Sequence, residues 1–157
     1  MKITLLVVGK TAFPYINEGI AIYEKRLVHY INYTRTEIPE LKGVQAMSPA
    51  QIKEKEGELI LKHVKNTDDL ILLDEHGSTF SSVEWAQHLQ KKIMYEGKDI
   101  VFVIGGSYGF SPKVYQRANS KISLSKMTFS HQIIRVIFLE QLYRAFTIIK
   151  GEPYHNE

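Results

Sequence analysis

Cysteine is absent from all 157 residues. That removes disulfides, thiolate nucleophiles and cysteine-based zinc sites together, and it fits a reducing cytoplasm. No apolar run approaches the ~18 residues of a membrane span. The N-terminal run Ile3–Val8 is short and no small-residue cleavage site follows it, so MKITLLVVGK predicts a first strand and not a secretory leader. Repeats, low-complexity tracts and Gly/Ser linkers are missing, and 157 residues suit one domain with a sizeable core. No HxH or HExxH spacing occurs, so no metal site is expected. Phosphate-binding patterns are missing as well. The stretch VFVIGGSYGFSPK runs a strand into Gly105, Gly106 and Gly109. Yet Ser107 stands where GxGxxG needs glycine, and GxxxxGK[ST] does not occur. The turn after the first strand, Val8-Gly9-Lys10-Thr11, has one glycine and no fingerprint.

What is present alternates between strand and helix. Strands are expected at Lys2–Val8, Tyr33–Ile38, Leu70–Leu73, Ile100–Ile104 and Ile122–Ser125. Helices are expected at Pro14–Ile31, from Pro49 to about Val64, from Ser81 to near Gly97, from Pro112, and at Ile133–Ile149, with Lys42–Met47 as a loop. Ser48 with Gln51 and Ser81 with Glu84 have the spacing of capping boxes, and Ser111-Pro112 is a cap followed by proline. The alternation predicts an α/β domain with a mostly parallel sheet covered by helices on both faces. Ligands in such sheets bind beyond the carboxyl ends of strands. Three ends stand out: Leu73-Asp74-Glu75-His76-Gly77, Gly105–Gly109 and Ser125–Ser130.

Charge is uneven. Residues 1–104 hold 13 Lys and Arg against 14 Asp and Glu, and residues 105–157 hold 7 against 3. Lys113, Arg117 and Lys121 recur every four residues and would form one positive stripe if the helix from Pro112 ran that far, an edge suited to phosphates. The last helix is apolar at 12 of 17 positions from Ile133 to Ile149. Such a helix is buried on more than one side, and a second copy in a two-fold homodimer would supply the second side. On it, Glu140 and Arg144 are spaced to pair. Arg135 projects elsewhere among apolar neighbours, where it needs a carboxylate, a carbonyl or a ligand.

VFVIGGSYG, LSKMTFSHQIIRVIFLEQLYRAF and the terminal GEPYH together resemble the RlmH family of SPOUT-class ribosomal RNA methyltransferases. The similarity runs along the whole chain and is most specific in its C-terminal third. One departure is Ser130, where the family usually has proline. The resemblance implies an α/β knot, with the C-terminal segment forming a trefoil knot in a single domain over residues 1–157. It implies S-adenosylmethionine as cofactor, held by Leu73, Gly105 and the run Ser125, Lys126, Met127, Thr128, Phe129 and Ser130, with Gly106 and Gly109 completing the loop. The glycines would let backbone approach an adenosyl group that has no phosphate. It further implies a cytoplasmic homodimer acting on a pseudouridine of large-subunit (23S) RNA, at N3, on assembled ribosomes.

N3 must lose a proton before or as it attacks. His131, near the start of the last helix, and His155, in the tail Gly151–Glu157, are candidates for that proton or for contact with the base. Tyr154 is a candidate for stacking on a base, and Arg135 or Arg144 for offsetting the developing anion. Lys113, Arg117 and Lys121 are the candidate RNA contacts. Two other classes fit the same residues: a SPOUT methyltransferase of another RNA such as transfer RNA, and a non-catalytic dimeric RNA-binding protein.

Overall fold

A strand buried on both faces belongs inside a parallel sheet, and the first strand is such a strand. Ile3, Leu5 and Val7 are buried on one face, Leu6 and Val8 on the other. A computed structural model of the chain describes residues 1–156. Its strands are β1 (Lys2–Val8), β2 (Asn32–Ile38), β3 (Asp69–Thr79), β4 (Ile100–Ile104) and β5 (Ser120–Ser123). All pair in parallel, in the order β2-β1-β4-β3-β5. The helices are α1 (Pro14–Leu27), α2 (Pro49–Lys62), α3 (Ser82–Lys91), α4 (Pro112–Arg117) and α5 (Ile133–Lys150). Side chains of α1, α3 and α5 join the odd-numbered residues of β1 in one core, and α2 and α4 join the even-numbered ones in the other. The expected three-layer α/β arrangement is therefore present. Among the described residues no helix is long and apolar enough to cross a membrane.

Both capping boxes form. The Ser48 hydroxyl accepts from the Gln51 N–H (3.2 Å) and the Gln51 side chain accepts from the Ser48 N–H (2.8 Å). Ser81 and Glu84 do the same at 3.1 and 2.8 Å, each cap contributing about 1 kcal/mol.

Several boundaries differ from expectation. α1 stops at Leu27, not Ile31, because the chain turns through Val28–Tyr30 to enter β2. α2 ends at Lys62, two residues early. A single wide turn, Lys92–Glu96, follows α3 and closes on Gly97 at φ +62°. The loop after β2 contains a short 3-10 turn at Val44–Ala46. α4 ends at Arg117 because the sheet captures the next residues. The Asn119 N–H donates to Leu70 O and its Oδ1 accepts from the Leu70 N–H, both at 2.8 Å. Lys121 therefore lies on β5, and the expected helical stripe of Lys113, Arg117 and Lys121 does not form.

The largest correction concerns β3. Residues 74–77, expected as a turn that ends the strand, are a bulge within it: Ile122 of β5 pairs with both Leu73 and Ser78. Gly77 lets the strand return, since a Cβ there would lie 2.7 Å from the backbone of Lys121 and Ile122. Asp74 and Glu75 sit in this bulge.

β5 is the edge strand, yet α5 begins beside the turn after β1. The Gln132 side chain accepts from the Ala12 N–H (3.0 Å) and donates to Lys10 O (3.1 Å). Residues 124–131 must therefore cross the carboxyl ends of β3 and β4 to join the two.

Candidate active site

The crossing segment, the β3 bulge and the glycine loop after β4 enclose a cleft of about 560 Å³. All three expected strand ends meet there. Of the expected cofactor residues, Leu73, Gly105, Gly106, Gly109, Ser125, Met127, Thr128, Phe129 and Ser130 line it. Lys126 does not; it is exposed to solvent. His131 and Ile134, at the start of α5, complete the wall.

Side chains tie the walls to one another. The Thr128 hydroxyl donates to Glu75 Oε2 (2.7 Å), joining the crossing segment to the bulge. The Tyr115 hydroxyl of α4 donates to Asp74 Oδ2, joining the glycine-loop side to the bulge. Burial, and then this bond to the Asp74 carboxylate, push the Tyr115 phenol up to about 12. Ser130 accepts on Oγ from the Ile133 N–H (3.1 Å) at the start of α5. A proline has no side-chain acceptor for that orphan donor.

The lining tells what the cleft suits. Leu73, Ile104, Phe110, Ile122 and Ile134 make it apolar, the loops supply backbone groups, and the charged side chains are Asp74 and Glu75. Among the described residues no lysine or arginine lines it, so a phosphate would meet two carboxylates and no cation. A cationic sulfonium carrying an adenosine suits such walls, and the volume lies in the range of small-molecule sites.

The glycines differ in what they do. A Cβ on Gly105 would lie 3.0 Å from the Phe110 ring, and one on Gly106 would lie 2.9 Å from a Glu56 oxygen. Their missing side chains thus make room for the protein's own neighbours, while the loop lines the cleft. Gly109 has φ +83° with open space around its Cβ position, so a turn conformation demands it.

The remaining candidates lie elsewhere in the single chain. Arg135 is fully buried. It donates to Val8 O (2.9 Å), Thr11 Oγ1 (2.8 Å) and His131 O (3.1 Å), with Glu37 Oε2 at 3.6 Å. It holds the start of α5 against the end of β1 and is not part of the cleft lining. Arg144 donates to both Glu140 oxygens (2.7 and 3.3 Å), so the expected pair forms. Its Nη1 lies 3.1 Å from His155 Nδ1 and its guanidinium lies 4.8 Å from the Tyr154 ring centre. Tyr154 also packs edge-on against Tyr143 at 4.7 Å. The tail is thus folded back on α5 as far as it is described; Glu157 lies outside the described residues. Arg144 is ten residues beyond Ile134 on α5, about 15 Å along its axis.

Of the three basic residues proposed for RNA, Arg117 is engaged by Lys65 O (2.8 Å), Asp68 O (2.9 Å) and Asn119 Oδ1 (3.0 Å). Lys113 is exposed, 3.6 Å from Glu54, and Lys121 lies 5.5 Å from the centre of the Tyr115 ring. Cleft residues that sequence reasoning passed over include Phe110, Tyr115, Leu124 and Ile134, together with the roles of Asp74 and Glu75. Paired carboxylates directly after an apolar strand were the available signal.

A family model described as "Predicted SPOUT methyltransferase" matches residues 1–155. A protein of Parabacteroides distasonis named ribosomal RNA large subunit methyltransferase H is 55% identical over 157 residues, the whole of both chains. Proteins of the same name from Bacteroides fragilis and Flavobacterium johnsoniae are each 53% identical, again over the whole of both chains. With a family match over nearly its full length, joined to a cleft built from the segments that first suggested the resemblance, the chain belongs to the SPOUT methyltransferase family.

Proposed function

We propose that this chain, acting as a single domain over its 157 residues, transfers a methyl group from S-adenosylmethionine to N3 of a pseudouridine in large-subunit (23S) ribosomal RNA. The observation that carries the reading is the cleft at the carboxyl ends of β3, β4 and β5, apolar and acidic, free of cationic lining among the described residues. The names of the full-length relatives support the RNA class. When bound, S-adenosylmethionine would supply a sulfonium methyl, the N3–carbon bond forming as the sulfur–carbon bond breaks with its electron pair left on sulfur.

The chain's own task is to hold the base in line and to manage one proton. His131, on the cleft wall, is the candidate to take it. His155 suits a different role. Arg144 carries only donors, so its 3.1 Å contact makes His155 Nδ1 an acceptor and leaves the proton of the neutral ring on Nε2. His155 is a candidate for contact with the base. Arg144 would add its charge there, and Tyr154 a face for stacking. None of these three lines the chain's own cleft, and Arg144 stands about 15 Å along α5 from Ile134, which supports a homodimer in which each tail serves the partner's site. Ile137, an apolar residue of α5 that is only partly buried, supports the same arrangement. Lys113 and Lys121 remain candidates for phosphate contact, and Leu73, Gly105, Gly106, Gly109, Ser125 and Met127–Ser130 for holding the donor. The C-terminal segment is read as knotted and the enzyme as cytoplasmic.

Transfer of labelled methyl from S-adenosylmethionine to ribosomes of a strain lacking the gene, read by nucleoside mass spectrometry, tests this. N3-methylpseudouridine on assembled ribosomes is expected, with naked RNA and transfer RNA unmodified. Modification of transfer RNA alone would move the protein to another substrate. No methylation of any acceptor would leave an RNA-binding protein.

A further inference from the structure

α2 presses on the glycine loop from behind at two points. A Cβ on Gly57 would lie 2.5 Å from Ser111 Oγ, so the helix and the end of the loop are in close contact. One residue earlier, the two oxygens of Glu56 stand 2.9 and 3.0 Å from where a Cβ on Gly106 would be. Glu56 is half-buried, and its Oε1 is shielded from solvent with no hydrogen-bond partner among the described residues. Burial, and then the Glu40 carboxylate, push its carboxyl up. Two residues along the same helix, Glu54 has a lysine within reach, Lys113 at 3.6 Å.

A carboxylate is a poor choice for filling a packing space, because withdrawing it from water without a donor is costly. Glu56 nevertheless occupies the place that the missing side chain of Gly106 leaves. The two residues are complementary: a side chain at position 106 would displace the Glu56 carboxylate from its place against the loop. Glu56 does not line the cleft, whereas Gly105, Gly106 and the residues after them do. We propose that Glu56 is a positioning residue of the methyl-donor site, holding the Gly105–Gly109 backbone from behind in the shape that lines the cleft. The proposal rests on reading that cleft as the S-adenosylmethionine site.

The test is a double-mutant cycle read by calorimetric titration with S-adenosylmethionine, with a thermal melt of every variant. Gly106→Ala drives a methyl group into the carboxylate and is expected to weaken binding roughly tenfold or more. Glu56→Ala alone is expected to weaken it about fivefold with little change in melting temperature, and Glu56→Gln, which keeps shape and acceptor, to stay within about twofold. The double variant Glu56→Ala/Gly106→Ala is expected to bind at least about fivefold tighter than Gly106→Ala, because the space is reopened. Should an alanine variant fail to fold, Glu56→Ser takes its place in the same cycle. A double variant that binds no tighter than Gly106→Ala, or a Glu56→Ala protein with wild-type affinity, overturns the positioning role and leaves the cofactor reading standing. Failure of the wild-type protein to bind S-adenosylmethionine overturns both.

Discussion

Helix α5 carries one arginine near its start and another in its second half, and the two are used in opposite ways. Near the first turn, Arg135 is fully buried, and backbone carbonyls of Val8 and His131, the Thr11 hydroxyl and nearby Glu37 surround it. Burial pulls its guanidinium down from the ordinary value, while Glu37 opposes the shift. Two to three turns on, Arg144 is partly exposed, paired with Glu140, and faces an imidazole and an aromatic ring. The bond to Glu140 holds it above its ordinary value. One arginine has spent its donors on the protein's own backbone. The other is braced by its own helix and displayed beside the kinds of group that recognise a base.

The largest expected effect would come from removing the buried arginine. Arg135→Met leaves carbonyls and Glu37 without their cation and should cost about 3–5 kcal/mol in urea unfolding. A loss under about 1 kcal/mol would mean that Arg135 is not the strut described here. Arg144→Ala should do the reverse. Unfolding and S-adenosylmethionine affinity should change little, while methyl transfer to ribosomes falls roughly 10–100-fold. A stability loss as large as that of Arg135→Met would erase the distinction between the two arginines.

Mixing sharpens it further. Arg144→Ala and Gly106→Ala proteins, each weak alone, should recover about a quarter of wild-type activity when combined, if the chain forms the proposed homodimer, since half the dimers would then hold one intact tail opposite one intact cleft. No recovery would place tail and cleft within one chain's own site. The smallest effect concerns acid. Burial tends to raise the Glu37 carboxyl, but the Thr11 N–H (2.6 Å) and hydroxyl (2.9 Å), with Arg35 and Arg135, hold it below its ordinary 4.5. A depressed carboxyl contributes stability that is present above the unfolded value and is lost as pH falls through the folded one. Below pH 4.5 the wild type should therefore lose stability more steeply than Glu37→Gln. Parallel curves would remove Glu37 from the support of Arg135.

Much of this was legible in the residues. β1 and β4 fall where apolar runs put them, and both capping boxes form where their spacing predicted. The Glu140–Arg144 pair follows from one turn of helix. The basic stripe failed because Asn119 is claimed by the backbone of Leu70, nearly fifty residues away, a competition no local pattern contains. The bulge at residues 74–77 was missed for the same reason, since it exists only because Ile122 pairs on both sides of it.

The sequence by itself determined the alternation of strands and helices, the absence of any phosphate motif, and the family. The first two are matters of residue type and spacing within a few turns of chain, and the family rests on resemblance along the whole of it. Which glycine serves a turn and which makes room for a neighbour was decided only by the tertiary structure, because the neighbours of Gly105, Gly106 and Gly77 come from Phe110, from α2 and from β5. The same holds for Arg135. A charged residue on an apolar helix is a strut or a ligand contact according to what stands opposite, and here that is the end of the first strand.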